Sequence, residues 1–158
     1  MRSLIFLFVL VFFSNASYGA HPEIFSCNRQ YSLKSGNPGE LILERGKSRG
    51  IKIKLNHEIY GGAIDTATSM FVVYGSPYDL NNSNPQLMVV SIYRNLSKPK
   101  LFMRRKLGGG IYSANFSDDH KSIVVNTRFG DFVANIKDRK TELLSPSEPA
   151  AIKIAECK

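Results

Sequence analysis

The sequence predicts an all-β domain of short antiparallel strands. Three observations carry that reading. Runs of four to eight residues rich in Val, Ile, Phe and Tyr recur along the chain, each bounded by Gly, Pro, Asn, Asp or Ser. Several runs alternate apolar and polar residues with a period of two, as strands with one face in a core do. No stretch holds a helical period. Asp65–Ser69 has room for one turn, but Thr66, Thr68 and Ser69 disfavour it.

The first element is an address rather than part of the domain. Met1-Arg2-Ser3 supplies one positive charge, Leu4–Phe13 is unbroken apolar sequence, and Ser14–Gly19 turns small and polar apart from Tyr18. This is the layout of a cleaved secretory signal peptide, residues 1–19, with Ser17 and Gly19 at the small-residue positions. The apolar run is shorter than the roughly 20 residues a bilayer span needs, and no later stretch reaches that length. Cys27 lies too far from the apolar run to be a lipid-attachment site. The expectation is a periplasmic or secreted chain with no stable membrane span, residues 20–158 forming a single all-β domain.

Within it the expected strands are Gly39–Glu44, Gly50–Leu55, Met70–Tyr74, Gln86–Tyr93, Lys100–Lys106, Ile111–Phe116, Ser122–Thr127, Phe132–Ile136 and Ala151–Ala155. In Gly50–Leu55, for example, Ile51, Ile53 and Leu55 share one face while Lys52 and Lys54 share the other. Thr141–Pro149 holds Pro146 and Pro149 and reads as a loop. The composition, 43% hydrophobic, 22% charged and 11% aromatic over 158 residues, excludes a disordered, collagenous or coiled-coil chain. A formal net charge of +8 favours anionic partners.

Two cysteines exclude a dense disulfide framework and a four-cysteine zinc site. Cys27 and Cys157 stand near the two ends of the exported chain. In an oxidising compartment such a pair is expected to form a structural disulfide that makes the termini neighbours. The spacing is not that of a C-x-x-C redox pair.

A faint repeat is also present. Gly61-Gly62-Ala63-Ile64 opens one unit and Gly109-Gly110-Ile111-Tyr112 opens another. In the second, Ser117-Asp118-Asp119-His120-Lys121 is a polar hairpin turn, with further turns at Gly130-Asp131 and Asp138-Arg139-Lys140. Residues 109–144, and more weakly 61–107, resemble the four-stranded blade of a β-propeller. There is no Trp, and His120 stands where Gly is usual. At about 45 residues per blade the chain holds three. The resemblance therefore implies a small propeller-like assembly of about three sheets, with Ala151–Ala155 pairing near residues 24–33. A compact β-sandwich uses the same strands equally well.

Candidate sites are few. His57 and His120 are the histidines with neighbouring carboxylates, Glu58 and Asp118–Asp119, and a His–carboxylate pair can do acid–base work. Solvated turn residues explain them as well; His21 falls in the terminus. No pattern for zinc or a calcium loop is present, and no cofactor is expected. Gly108-Gly109-Gly110 lacks the strand–helix setting of a phosphate loop and reads as a flexible connection that can also enter a partner's cleft. Arg94, Lys98, Lys100, Arg104, Arg105 and Lys106 form a basic stretch in which Lys100, Phe102, Arg104 and Lys106 would share a strand face. Such a row protects an edge strand or grips a polyanion. Tyr78 and Asn82 sit in the long polar loop Pro77–Pro85, a second candidate contact surface. Asn81, Asn95 and Asn115 head Asn-x-Ser sequons, relevant only to a eukaryotic route.

A small, exported, disulfide-closed β protein without a catalytic constellation resembles the periplasmic inhibitor and immunity proteins, including those that neutralise type VI amidases. The resemblance is one of size, address and architecture. It implies a protein-binding module that blocks a cell-wall-degrading enzyme, with another protein as partner. Two further readings stand behind it: a secreted hydrolase using His57 or His120, and an envelope protein holding anionic polymers.

Overall fold

The computed structural model describes residues 22–79, 86–145 and 152–157. Twelve strands form three four-stranded antiparallel sheets, each a meander in chain order. The first holds β1 (Ile24–Phe25), β2 (Tyr31–Ser35), β3 (Glu40–Arg45) and β4 (Ile51–Lys54). The second holds β5 (Gly61–Asp65), β6 (Met70–Gly75), β7 (Met88–Arg94) and β8 (Lys100–Leu107). The third holds β9 (Ile111–Phe116), β10 (Ser122–Thr127), β11 (Gly130–Asn135) and β12 (Thr141–Leu144). The first strands lie together, β5 against both β1 and β9. This is the propeller-like arrangement. Among the described residues no helix is long and apolar enough to cross a membrane.

The middle sheet explains the assembly. Alternate residues of its central strands are apolar on both faces, so β6 is buried throughout and β7 up to Arg94. Met70, Val72, Tyr74, Val90 and Ile92 pack with Ala114, Phe116, Ile123, Val125 and Phe132 of the third sheet. Phe71, Val73 and Tyr93 pack with Ile24, Leu33, Leu41 and Leu43 of the first. The Phe71 and Tyr93 rings stack 4.9 Å apart. Each large side chain buried this way contributes about 1.5–3 kcal/mol. Gly75 permits the crossing between sheets, because a Cβ there would collide with the carbonyl oxygen of Glu58.

Cys27 and Cys157 form the disulfide, 130 residues apart in sequence and with Cα atoms 4.9 Å apart. Such a bond suits an oxidising compartment. The pairing of the terminal segment corrects the expectation. Ile154 bridges Ser117 of the third sheet rather than the first sheet. The Asp118 N–H donates to the Lys153 carbonyl at 2.8 Å, and the Ala155 N–H to the Phe116 carbonyl at 2.9 Å. Residues 152–157 therefore form a strap from the third sheet to the first. Thr141–Leu144 is also corrected, from loop to the edge strand β12 paired with β11. Its prolines follow the strand and so break no ladder bond. The turn expected at Gly130-Asp131 falls at Arg128-Phe129, with Gly130 already in β11. Residues 1–21 and Ala151 lie outside the described residues.

Candidate functional site

The antiparallel meanders sort the loops onto two ends. The starts of β5 and β9 and the ends of β6 and β8 share one end, where the Gly108–Gly110 loop joins the outermost strand of one sheet to the innermost of the next. Gly109 and Gly110 have φ of +79° and +77°, a region that favours glycine. The Gly110 N–H donates to the Gln86 carbonyl at 3.2 Å. The Phe129 ring lies over the loop, where a Cβ on Gly109 would sit 2.6 Å from it.

Exposed aromatics gather here. Tyr60, Tyr112 and Phe129 are 50%, 67% and 57% exposed. The backbones of Tyr60 and Tyr112 are both tied to Tyr74, and the Tyr60 hydroxyl donates to Glu58 Oε2 at 2.7 Å. The Tyr74 carbonyl accepts from the Tyr60 N–H at 2.8 Å, and the Tyr74 hydroxyl donates to the Tyr112 carbonyl at 3.2 Å. Tyr78 is half-exposed, but its hydroxyl accepts the Gly39 N–H at 2.8 Å and so props the β2–β3 turn. Asn82 lies outside the described residues, as does most of the loop after it.

The basic stretch does not form one row. β8 is an edge strand, and its register shifts opposite Ile92 and Tyr93. At this bulge Phe102 and Met103 both pack toward the third sheet. Alternation is interrupted, so Lys100 and Arg104 do not share a face, which corrects the expected row. Lys106 shares a face with Arg104, whereas exposed Lys98 sits in a turn headed by Asn95. Arg104 turns inward, its Nε donating to Ser91 Oγ at 3.2 Å. Arg139 covers the Phe102 ring at 4.8 Å.

The two histidines do not meet. His57 is fully buried. Its Nδ1 lies 2.6 Å from the Glu58 carbonyl and its Nε2 2.9 Å from Ser91 Oγ. Burial pushes its pKa below 6.5, and nearby Arg104 pushes the same way. The neutral ring therefore donates from Nδ1 to the carbonyl and accepts the Ser91 hydroxyl proton at Nε2, while Ser91 accepts from Arg104. This His–Ser pair has no exposed surface and serves as a buried joint.

His120 lies at the opposite end, with φ of +56° in its turn. Its partner is Asp65, across the sheet boundary, with Nδ1 3.0 Å from Oδ2. The adjacent Asp118 and Asp119 are not that partner; Asp119 instead accepts from Ser117 Oγ at 2.7 Å. The Asp65 carboxylate also accepts from Ala67 N–H, Thr68 N–H and Thr68 Oγ. These groups border a cleft of about 510 Å³ that runs along the innermost strands from Gly62 to Asp65 and is walled by Phe25, Phe116 and Glu156. Among the described residues no group of three His, Cys, Asp or Glu side chains is placed to hold a metal.

Tyr60, Phe129, Asp65 and Glu156 escaped the sequence reading. An aromatic residue directly before a glycine that opens a strand, as in Tyr60-Gly61 and Phe129-Gly130, is a usable signal for the first two. The Asp65–His120 pair has no sequence signal, because it forms between sheets.

No family model matches the chain, and no curated protein matches it. Among solved structures it is similar to the AfRom2 CNH domain, a propeller-like fold, with a TM-score of 0.51 and 15% identity over 78% of this chain and 40% of that one. It is also similar to dihydro-heme d1 dehydrogenase NirN in complex with DHE, with a TM-score of 0.47 and 15% identity over 82% of this chain and 27% of that one. The chain thus spans less than half the length of either. The first likeness supports the propeller-like fold alone.

Proposed function

We propose that this chain is an exported protein-binding module whose contact surface is the end bearing Tyr60, Tyr112, Phe129 and the Gly108–Gly110 loop. The observation that carries the reading is the presence of three half-exposed aromatics at the end that bears the glycine loop, with Phe129 lying over that loop, on a frame with cores on both faces of its middle sheet. Buried aromatic anchors supply most of the energy of typical protein interfaces. A narrow loop flanked by aromatics suits a concave partner, as an active-site cleft is. The partner class is therefore an envelope enzyme, and the activity is inhibition of cell-wall degradation. Periplasmic or secreted placement follows from the leader and agrees with the disulfide.

The test is a peptidoglycan-lysis assay with purified amidases and lysozymes, using the oxidised chain at stoichiometric amounts. Lysis by one enzyme should stop. Tyr112→Ala with Phe129→Ala should weaken inhibition by tenfold or more, as about 1.4 kcal/mol or more of lost anchor energy gives, without lowering the melting temperature. A chain that inhibits none of them, or a double variant that inhibits as well as the parent, overturns the reading.

A further inference from the structure

We infer that the cleft along the innermost strands is a separate ligand site for a small organic ammonium ion. It opens at the end opposite the proposed contact surface and stands independently of it.

Its volume, about 510 Å³, lies in the range of small-molecule sites. The lining is unlike the rest of the molecule. The chain carries 21 Lys and Arg residues, yet among the described residues none lines this cleft, whereas Asp65, Asp118 and Glu156 do. Asp65 is spent: it is 8% exposed, accepts three bonds from its own turn and pairs with His120. The carboxylates of Asp118 and Glu156 have no ion pair or hydrogen bond among the described residues. Lys153 flanks the far side of Asp118, also without an ion pair to it.

A second feature is independent of these acids. Phe25 is 53% exposed and lies in the cleft wall, with Phe116 also lining it. A half-exposed phenyl ring in a cleft with carboxylates that have no partner among the described residues attracts a cation through the ring quadrupole as well as through charge. A metal ion is a poor occupant, since among the described residues no three ligands converge. An alkylated ammonium is the right one. Its methyl groups pack on Phe25 and on the small residues Gly62, Ala63 and Ala67, and its diffuse charge needs no tight ligand geometry.

The experiment titrates the oxidised chain with choline and, separately, with its neutral carbon analogue 3,3-dimethyl-1-butanol, following backbone amides by NMR. Choline should shift amides of residues 25–27, 62–67, 115–120 and 155–157, and the neutral alcohol should not. Asp118→Asn with Glu156→Gln should raise the choline Kd about tenfold, the scale of two exposed charge pairs, with the rest of the spectrum unchanged. Phe25→Leu should weaken choline binding as well. The inference is overturned if choline leaves the spectrum unchanged, if the alcohol shifts the same amides equally, or if the choline shifts map elsewhere. The comparison of the two ligands on the parent chain decides the matter even if a variant fails to fold.

Discussion

Replacing both cysteines by serine should cost the fold more than any single core substitution. The bridged residues are 130 apart, so the bond closes most of the chain into one loop. Loop-closure entropy for that length gives about 5 kcal/mol at 25 °C, an upper figure from which native strain subtracts. Domains of this kind have total stabilities of about 5–15 kcal/mol. At about 3 °C per kcal/mol for a chain of this size, the melting temperature should fall by about 15 °C. The denatured chain should also expand, so the denaturant m-value should rise. Thermal and urea denaturation followed by circular dichroism measure both quantities on the parent and on Cys27→Ser/Cys157→Ser. The strap has few other anchors, chiefly the backbone bonds from Asp118 to Lys153 and from Ala155 to Phe116. Hydrogen exchange at those two amides should rise to the rate of an open segment. A melting temperature lowered by less than about 5 °C with an unchanged m-value would refute the reasoning. The cross-link would then constrain a local strap and not the denatured chain.

Three further outcomes follow from single features. The buried His57 has a pKa below 6.5, so the unfolded chain binds its proton more readily than the folded one. Stability from this residue is complete above about pH 6.5 and is lost as pH falls below it, by at most about 1.4 kcal/mol per pH unit. Urea titrations should show that slope between pH 6.5 and 5, and His57→Gln should flatten it; an unchanged slope assigns it elsewhere. Gly75→Ala places a methyl group against the Glu58 carbonyl and should cost more than about 2 kcal/mol in urea denaturation, with a loss below about 0.5 kcal/mol counting against the close approach. Polyanion binding through β8 should be shallow in salt, because the bulge at Phe102 leaves only Arg104 and Lys106 on one face. The log–log slope of heparin affinity should be near about −2, and a slope steeper than about −5 would show that a continuous row acts after all.

Legibility in the sequence tracked the range of the interactions involved. Ile111–Phe116 and Ser122–Thr127 were readable to the residue, because alternation and a polar turn are local signals. β12 was not, because its prolines follow the strand, and Leu143 and Leu144 gain their place only from pairing with Phe132 and Asp131. The bulge was illegible for a similar reason. Strict alternation put Lys100 and Arg104 on one face, but two consecutive apolar residues, Phe102 and Met103, both find room in the core beside the third sheet. The site divides in the same way. The glycine loop announced itself by composition, whereas His57 and His120 looked alike in sequence and met opposite fates. One is sealed beside Ser91, and the other reaches across a sheet boundary to Asp65.

Three sheets arranged as propeller blades must deal with two faces that a closed ring would cover. The outer face of the first sheet does so with charge. Lys34 pairs with Glu23 and Glu44 at 3.2 and 2.9 Å, and Lys52 with Glu40 at 3.1 Å. The outer face of the third does so with hydrogen bonds, Ser113 donating to Asn126 and Asn126 to Asp131. Exposed ion pairs add little cohesion, so their role is to keep these faces solvated. Cohesion comes instead from the middle sheet, which is apolar on both sides. The consequence falls on the axis. A closed ring surrounds its axis with strands, whereas here strands flank it on part of the circumference and the strap from Ser117 to Cys27 spans another part. The cleft is the space left between them. Its wall is therefore made of innermost strands, which are small and apolar at Gly62 and Ala63, and of turn and strap residues, which are acidic at Asp118 and Glu156. A mixed wall of that kind follows from bridging three sheets with a strap, and it gives a basic chain a cleft whose described lining holds acids but no Lys or Arg, whereas Lys153 and Lys140 accompany the acids of two other clefts.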